Sequence, residues 1–173
     1  MKTIDYLEKQ NTHAFDMVKF GENKNTMLIG FNVVIIIGMW ILARETENMT
    51  WYYFITYVIS MCCISIFISM TALIAKIKHS TNNVELTNND NILFFGTMAN
   101  MTADELVDRI KTHYECESSN INHERDLAKR AIITSQIAAR KFRLFNIAIA
   151  FSFSGILTPL ILLVYKLFFS TSK

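Results

Sequence analysis

The sequence predicts an all-α membrane protein: three transmembrane helices, a small cytoplasmic helical segment, and a last cytoplasmic helix continuous with the third span. Three observations predict this. Hydrophobic residues make up 51% of the 173-residue chain and charged residues only 18%, against about 25% charged in an ordinary soluble domain. Three runs carry no charged side chain at all: 25–43, 49–75 and 144–165. Crossing a bilayer takes ~20 predominantly apolar residues, within a range of about 17 to 25. Lastly, the charge is concentrated between the second and third runs, where 10 of the 17 Lys and Arg residues lie.

These observations divide the chain into an N-terminal cytoplasmic helix (1–24), spans at 25–45 and 49–75, a cytoplasmic helical sensor segment at 76–143, and a third span at 144–169. The first run starts too late for a cleaved signal peptide and has no small-x-small cleavage site after it. Orientation follows the distribution of Lys and Arg. Lys2, Lys9, Lys19 and Lys24 precede span one, Arg44 alone lies in the loop to span two, and only Lys166 and Lys173 close the chain. The N-terminus and 76–143 are therefore expected in the cytoplasm, and the C-terminus outside.

Residues 11–26 read as a helix leading into span one. Glu22 and Lys24 fall at the water–lipid boundary, either as an interfacial anchor with a snorkelling lysine or as a polar site at the mouth of the bundle. Within the spans, Asn32, Ser60, Ser65, Ser69 and Asn146 are expected to face neighbouring helices, because polar groups in a bilayer find hydrogen bonds there. The apolar runs contain no Asp, Glu, Arg or His, which excludes a proton pump, a voltage sensor or a charge-selective filter. Trp51, Tyr52 and Tyr53 open span two as an aromatic belt.

The stretch 76–102 is polar and irregular up to Ile92–Gly96 (ILFFG), which either lies on the membrane surface or plugs the base of the bundle. Thr102 and Glu105 form a capping box, with Met101 and Leu106 as its hydrophobic staple. A helix from Ala103 to about Ser118 follows, with a stripe of Leu106, Val107, Ile110 and Tyr114. A long helix then runs from Asn120 to Phe169. At about 100° per residue, Arg125, Lys129, Gln136, Arg140 and Arg143 share a narrow arc, and Ala128, Ala131, Ser135, Ala138 and Phe142 lie nearly opposite. The basic arc is solvated, paired with Asp104, Glu105 or Asp108, or turned to an anion. Arg140, Lys141 and Arg143 also meet the leaflet phosphates. Gly155 and Pro159 place a hinge inside span three, since Pro removes one backbone hydrogen bond.

Enzymatic chemistry is missing. The chain has five Gly and no Gly-rich phosphate loop, no nucleophile elbow and no catalytic triad. His113, Cys116 and His123 fall short of a zinc set, so no metal and no resident cofactor are expected. Cys62 and Cys63 are adjacent in a span, and adjacent side chains diverge on a helix. A net charge of +2 does not suit a nucleic acid polymer as partner. From the residues alone, a structural membrane protein and a lipid- or ligand-gated channel both stay open.

Three motifs in order carry a resemblance. An acid-x-Lys pair and an Asn flank the start of span one (Glu22, Lys24, Asn32). Phe94–Phe95–Gly96 precedes the capped helix MTADELVDRI. The soluble helix ends in Ser135, Ile137, Ala138, Lys141, Phe142 and Arg143. Together these resemble the transmembrane effector family of the Pycsar antiphage systems, whose members usually carry Asp-x-Lys-Ala where this chain has Glu22-x-Lys24-Asn25. The resemblance implies a homo-oligomeric, non-enzymatic defence effector in the bacterial inner membrane. A partner cyclase would make its activating ligand, cyclic UMP or cyclic CMP. The effector would then impair the membrane and end the infection with the cell, an abortive infection. On that reading Arg125, Lys129, Gln136 and Arg140 are the candidate nucleotide ligands.

Overall fold

In the computed structural model, every regular element among the described residues is an α-helix: α1 (Thr3–Glu45), α2 (Met49–Leu73), α3 (Phe95–Met98), α4 (Ala103–Tyr114) and α5 (Ile121–Phe169). The structure describes residues 2–74, 91–92, 94–116 and 120–169, without the side chains of 162, 163 and 165–169. The polar stretch expected to be irregular falls largely at 75–90, outside the described residues. Three helices, α1, α2 and α5, are long and apolar enough to cross a membrane. The chain forms two compact units. One combines residues 1–22 with 75–142, and the other combines 23–74 with 143–173.

In the first unit, α1 and α5 run in parallel. Asn11 Nδ2 donates to Leu127 O at 3.0 Å, and ten residues further along α1 Gly21 lies against Lys141. Leu7, Gln10, Ala14 and Gly21 are buried on α1, as are Glu124, Ala128, Ala131, Ser135 and Ala138 on α5. The spacings of three, four and seven residues keep one helix face at the seam. The small-residue face read from the sequence is thus the packed face. α1 begins at Thr3, within the N-terminal helix expected over 1–24 and ahead of the segment read as helical from residue 11; Leu7 and Gln10 extend the seam by a full turn. Lys2 N–H reaches the Asp5 carboxylate at 3.2 Å and caps the start.

α4 closes over this pair. Leu106, Val107 and Ile110 join Leu7, Met98, Met101, Ala128, Ala131 and Ile132 in one core, with Tyr114 packed at its edge and stacked on Tyr6 at 4.6 Å. Thr102 Oγ1 accepts the Glu105 N–H at 3.3 Å, and the staple residues Met101 and Leu106 are both buried. The expected extension of α4 to Ser118 is not observed. Glu115 adopts a left-handed φ of 48°, which a helix cannot continue through. Asn120 then caps α5, its Oδ1 accepting from the N–H groups of Asn122 and His123.

In the second unit, α2 buries Ile55, Val58, Cys62, Ser65, Ser69 and Ala72, an unbroken alternation of three and four residues. Cys63 is exposed while Cys62 is buried, as divergent neighbours on a helix must be. α1 and α5 again run in parallel, and α2 is antiparallel to α5: Ser65 meets Ser152, whereas Met61 meets Gly155. A Cβ on Gly155 would lie 2.9 Å from Met61 Cβ and 3.6 Å from Val58 O, so glycine here permits close helix approach. Most of each apolar surface faces outward; only 11% of the apolar window of α1 is buried. Such a surface is stable only when the solvent is lipid.

Leu106 is fully enclosed in the core of the first unit. Leu106→Ala is expected to destabilise it by roughly 2–5 kcal/mol, read by pulse proteolysis of the full chain in detergent, while Phe67→Ala on the exposed face of α2 leaves cleavage of the first unit unchanged.

Candidate functional site

Two clusters concentrate the polar and motif residues, one in each unit. In the second unit, Asn32 of α1, Ser65 of α2 and Ser152 of α5 are buried together. Asn32 Nδ2 donates to Ser65 Oγ at 3.0 Å. Ser152 Oγ lies 2.8 Å from Asn32 Oδ1 and 2.8 Å from Ser65 Oγ. Each hydroxyl has one proton, so the trio is satisfied as a ring: amide to Ser65, Ser65 to Ser152, and Ser152 to the amide oxygen. One polar side chain from each span thus closes a hub. Ser69 Oγ, one turn from Ser65, is buried with no hydrogen-bond partner among the described residues. Two further polar span residues depart from expectation. Ser60 donates to Thr56 O in its own helix at 2.8 Å, and Asn146 is exposed. A hydroxyl can satisfy itself on its own backbone, and Asn146 lies only two residues inside the apolar run.

In the first unit, parts of the three motifs of the resemblance converge: Glu22 of the first, Phe94–Gly96 of the second, and Lys141 and Phe142 of the third. Lys141, only 3% exposed, pairs with Glu22 at 3.0 Å. Phe142 packs between Phe20 at 6.0 Å and Phe95 at 5.5 Å. Gly21 lets Lys141 approach, because a Cβ there would sit 3.2 Å from Lys141 Cβ. Phe94 is exposed but rests on Phe95 at 4.7 Å, and a Cβ on Gly96 would collide with the Phe94 ring. Ile92 and Phe94–Gly96, the described residues of this stretch, are therefore part of this unit's packing. Ile92 is in its core and Phe95 lies against it, which replaces the expectation of a membrane-surface or plugging segment. Lys141 is likewise corrected: its ammonium is engaged by Glu22 and is not presented to leaflet phosphates, whereas Arg143 is exposed.

The basic arc is partly engaged. Arg125 Nη2 lies 2.6 Å and Nε 2.7 Å from the same Asp104 oxygen, the pairing anticipated between these helices. Lys129 and Asp126 are 3.8 Å apart on the surface. Gln136 Nε2 donates to Ala99 O at 3.0 Å, tying the end of α3 to α5. Arg140 is half-buried. Lys24 belongs to the second unit, with its ammonium 5.4 Å from the Phe145 ring centre. α5 is helical through Pro159, and the carbonyl that Pro159 leaves without its N–H partner is that of Gly155.

Sequence reasoning missed two members. Glu124 is fully buried and paired with Lys111 at 2.9 Å. The signal was available, since Glu124 stands four residues before Ala128 on the same face. Ser152 was also overlooked; it continues the small-residue line of Ala148 and Gly155.

Glu22→Gln is expected to destabilise the first unit by stranding the buried Lys141 ammonium, and Glu22→Gln with Lys141→Met to recover part of the loss. In the second unit, Asn32→Ala and Ser152→Ala should show coupling of about 0.6 kcal/mol and at most ~1.7 kcal/mol, the range measured for hydrogen bonds between membrane helices. Steric-trap or thermal unfolding in detergent reads both.

Comparison with known proteins identifies the family. The profile of the Pycsar effector protein domain, PycTM, covers residues 6–168. The Pycsar effector protein RsPycTM of a Rhizobium species is 28% identical over 169 residues, covering 90% of this chain and 93% of the relative. No solved structure matches the fold. The chain belongs to the Pycsar effector family and is a bacterial transmembrane effector of antiphage defence.

Proposed function

We propose that this chain is a non-enzymatic effector switched by a cyclic mononucleotide from a sealed helix bundle to one that damages the membrane. A partner cyclase supplies the messenger, cyclic UMP or cyclic CMP, on infection. The observation that carries this reading is the hub. Three spans are joined through one buried hydrogen-bonded ring, and such interhelical bonds are worth little individually. A modest difference in ligand affinity between two states is therefore enough to open it.

The ligand face we assign is the basic arc of α5. Arg125 and Lys129 are exposed, and so are the acids facing them. Exposed ion pairs contribute about 0–1 kcal/mol, so an incoming phosphate diester can take the place of the Asp104 carboxylate on Arg125. Gln136 and Arg140, further along the arc, offer donors to a pyrimidine or ribose. The same helix supplies Ser152 to the hub. Pro159, with the freed Gly155 carbonyl, is the expected point of yielding within span three.

That residues 1–22 and 75–142 share one unit supports a reading in which they lie on one side of the membrane, and their Lys and Arg content favours the cytoplasmic side. The C-terminus is then outside. Three spans per chain enclose little, so the lesion involves several copies. Loss of the membrane ends the infection with the cell.

Dye-loaded liposomes holding the purified protein test the reading. Addition of cyclic UMP or cyclic CMP is expected to release dye, and Arg125→Ala with Lys129→Ala to weaken the response roughly tenfold or more, as loss of charge-assisted hydrogen bonds implies. Equal leakage with and without nucleotide would contradict nucleotide gating. An unchanged response in the double variant would contradict the assigned face.

A further inference from the structure

A lateral cavity of about 320 Å³ opens in the second unit, lined by α1 and α5. Its floor and walls are Leu28, Phe31, Ile149, Phe153 and Ile156, with Ser152 of the hub at its base and Lys24 at one end. Phe31 and Phe153 are more than half exposed, so the cavity is an open groove facing lipid. From Phe145 to Ile156 it follows α5 for eleven residues, or about 16 Å at 1.5 Å per residue. That is close to half of the ~30 Å hydrocarbon thickness. The groove is thus apolar over the depth of one leaflet and cationic at a single end, where Lys24 stands over the Phe145 ring at 5.4 Å.

We propose that this groove is a binding site for one phospholipid. An acyl chain lies along Leu28, Ile149 and Ile156, and the headgroup phosphate meets the Lys24 ammonium. Charge and length select this occupant. A second anionic group on the headgroup, or a headgroup without its own cation, strengthens the contact, so phosphatidylglycerol is held over phosphatidylcholine. Because Ser152 forms the base of the groove, the bound chain packs against the hub and shields it from water. The site thereby adds a lipid-composition dependence to the bundle that is separate from any nucleotide response.

Native mass spectrometry of the full chain tests this without nucleotide, so its failure leaves nucleotide gating untouched. Protein extracted into detergent is mixed with equal amounts of phosphatidylglycerol and phosphatidylcholine. Wild type is expected to retain phosphatidylglycerol, with about tenfold weaker retention in Lys24→Gln, as loss of a charge-assisted contact implies. Ile149→Trp, which fills the groove, should remove retention of either lipid. Phe67→Trp on the exposed face of α2 serves as control and should retain lipid like wild type, and circular dichroism establishes that each variant is helical. If Ile149→Trp folds and holds phosphatidylglycerol as wild type does, the groove is not the site. Equal retention of the two lipids by wild type, or a dimer lost in Ile149→Trp with no lipid bound, would also overturn the proposal.

Discussion

A polar ring with nowhere to find water constrains the membrane unit. Asn32, Ser65 and Ser152 come from three different helices and are buried together. Each interhelical bond is worth only about 0.6 kcal/mol, but the ring is satisfied only when all three spans are in register. Gly155, one turn from Ser152, permits that register by admitting the backbone of α2. The same arrangement leaves the spans' outer surfaces apolar and lipid-facing. Specificity of assembly rests on a few polar atoms, because apolar contacts alone have no preference between helix and lipid.

The first unit is built on different physics. Its core of Leu7, Met98, Leu106, Ile110 and Ala131 is held by exclusion from water. Its polar elements sit where that core ends. Lys141 with Glu22, and Lys111 with Glu124, each bring a buried charge to a partner. Buried pairs of this kind are weak sources of stability but strong penalties when broken, which makes them fixers of register. Phe95, Phe142, Glu22 and Lys141, drawn from three scattered motifs, share one packing site. This gives a physical reason for their co-occurrence without assigning them to ligand.

Much of this was legible in the sequence. The three uncharged runs identify the helices that can span, and the Thr102 capping box and the Leu106, Val107, Ile110 stripe identify α4. The grid on α5 separated the packed Ala face from the basic arc. What was less legible depends on tertiary pairing. The local pattern read as helical only from residue 11, whereas α1 begins at Thr3, with Leu7 and Gln10 in the seam with α5. The Glu115 turn has no Gly or Asn to announce it. ILFFG is apolar enough for a membrane surface or for a core, and composition cannot distinguish them. Ser152 looks like any serine in an apolar run until Asn32 and Ser65 stand opposite it. Lys141 reads as one of three interfacial cations, and only its proximity to Glu22 removes it from that set.

The proposed function requires the hub to open before the membrane is damaged. Cys62 reports on it directly, since it is buried on the α2 stripe three residues from Ser65 and its substitution is not required. In a Cys63→Ser, Cys116→Ser background, a membrane-impermeant maleimide is applied to proteoliposomes before and after addition of cyclic UMP or cyclic CMP, with leakage recorded in parallel. Protection of Cys62 at rest and labelling that rises with leakage is the predicted result. Full leakage with Cys62 still protected would show that the membrane is breached while the hub stays closed, and would contradict the account.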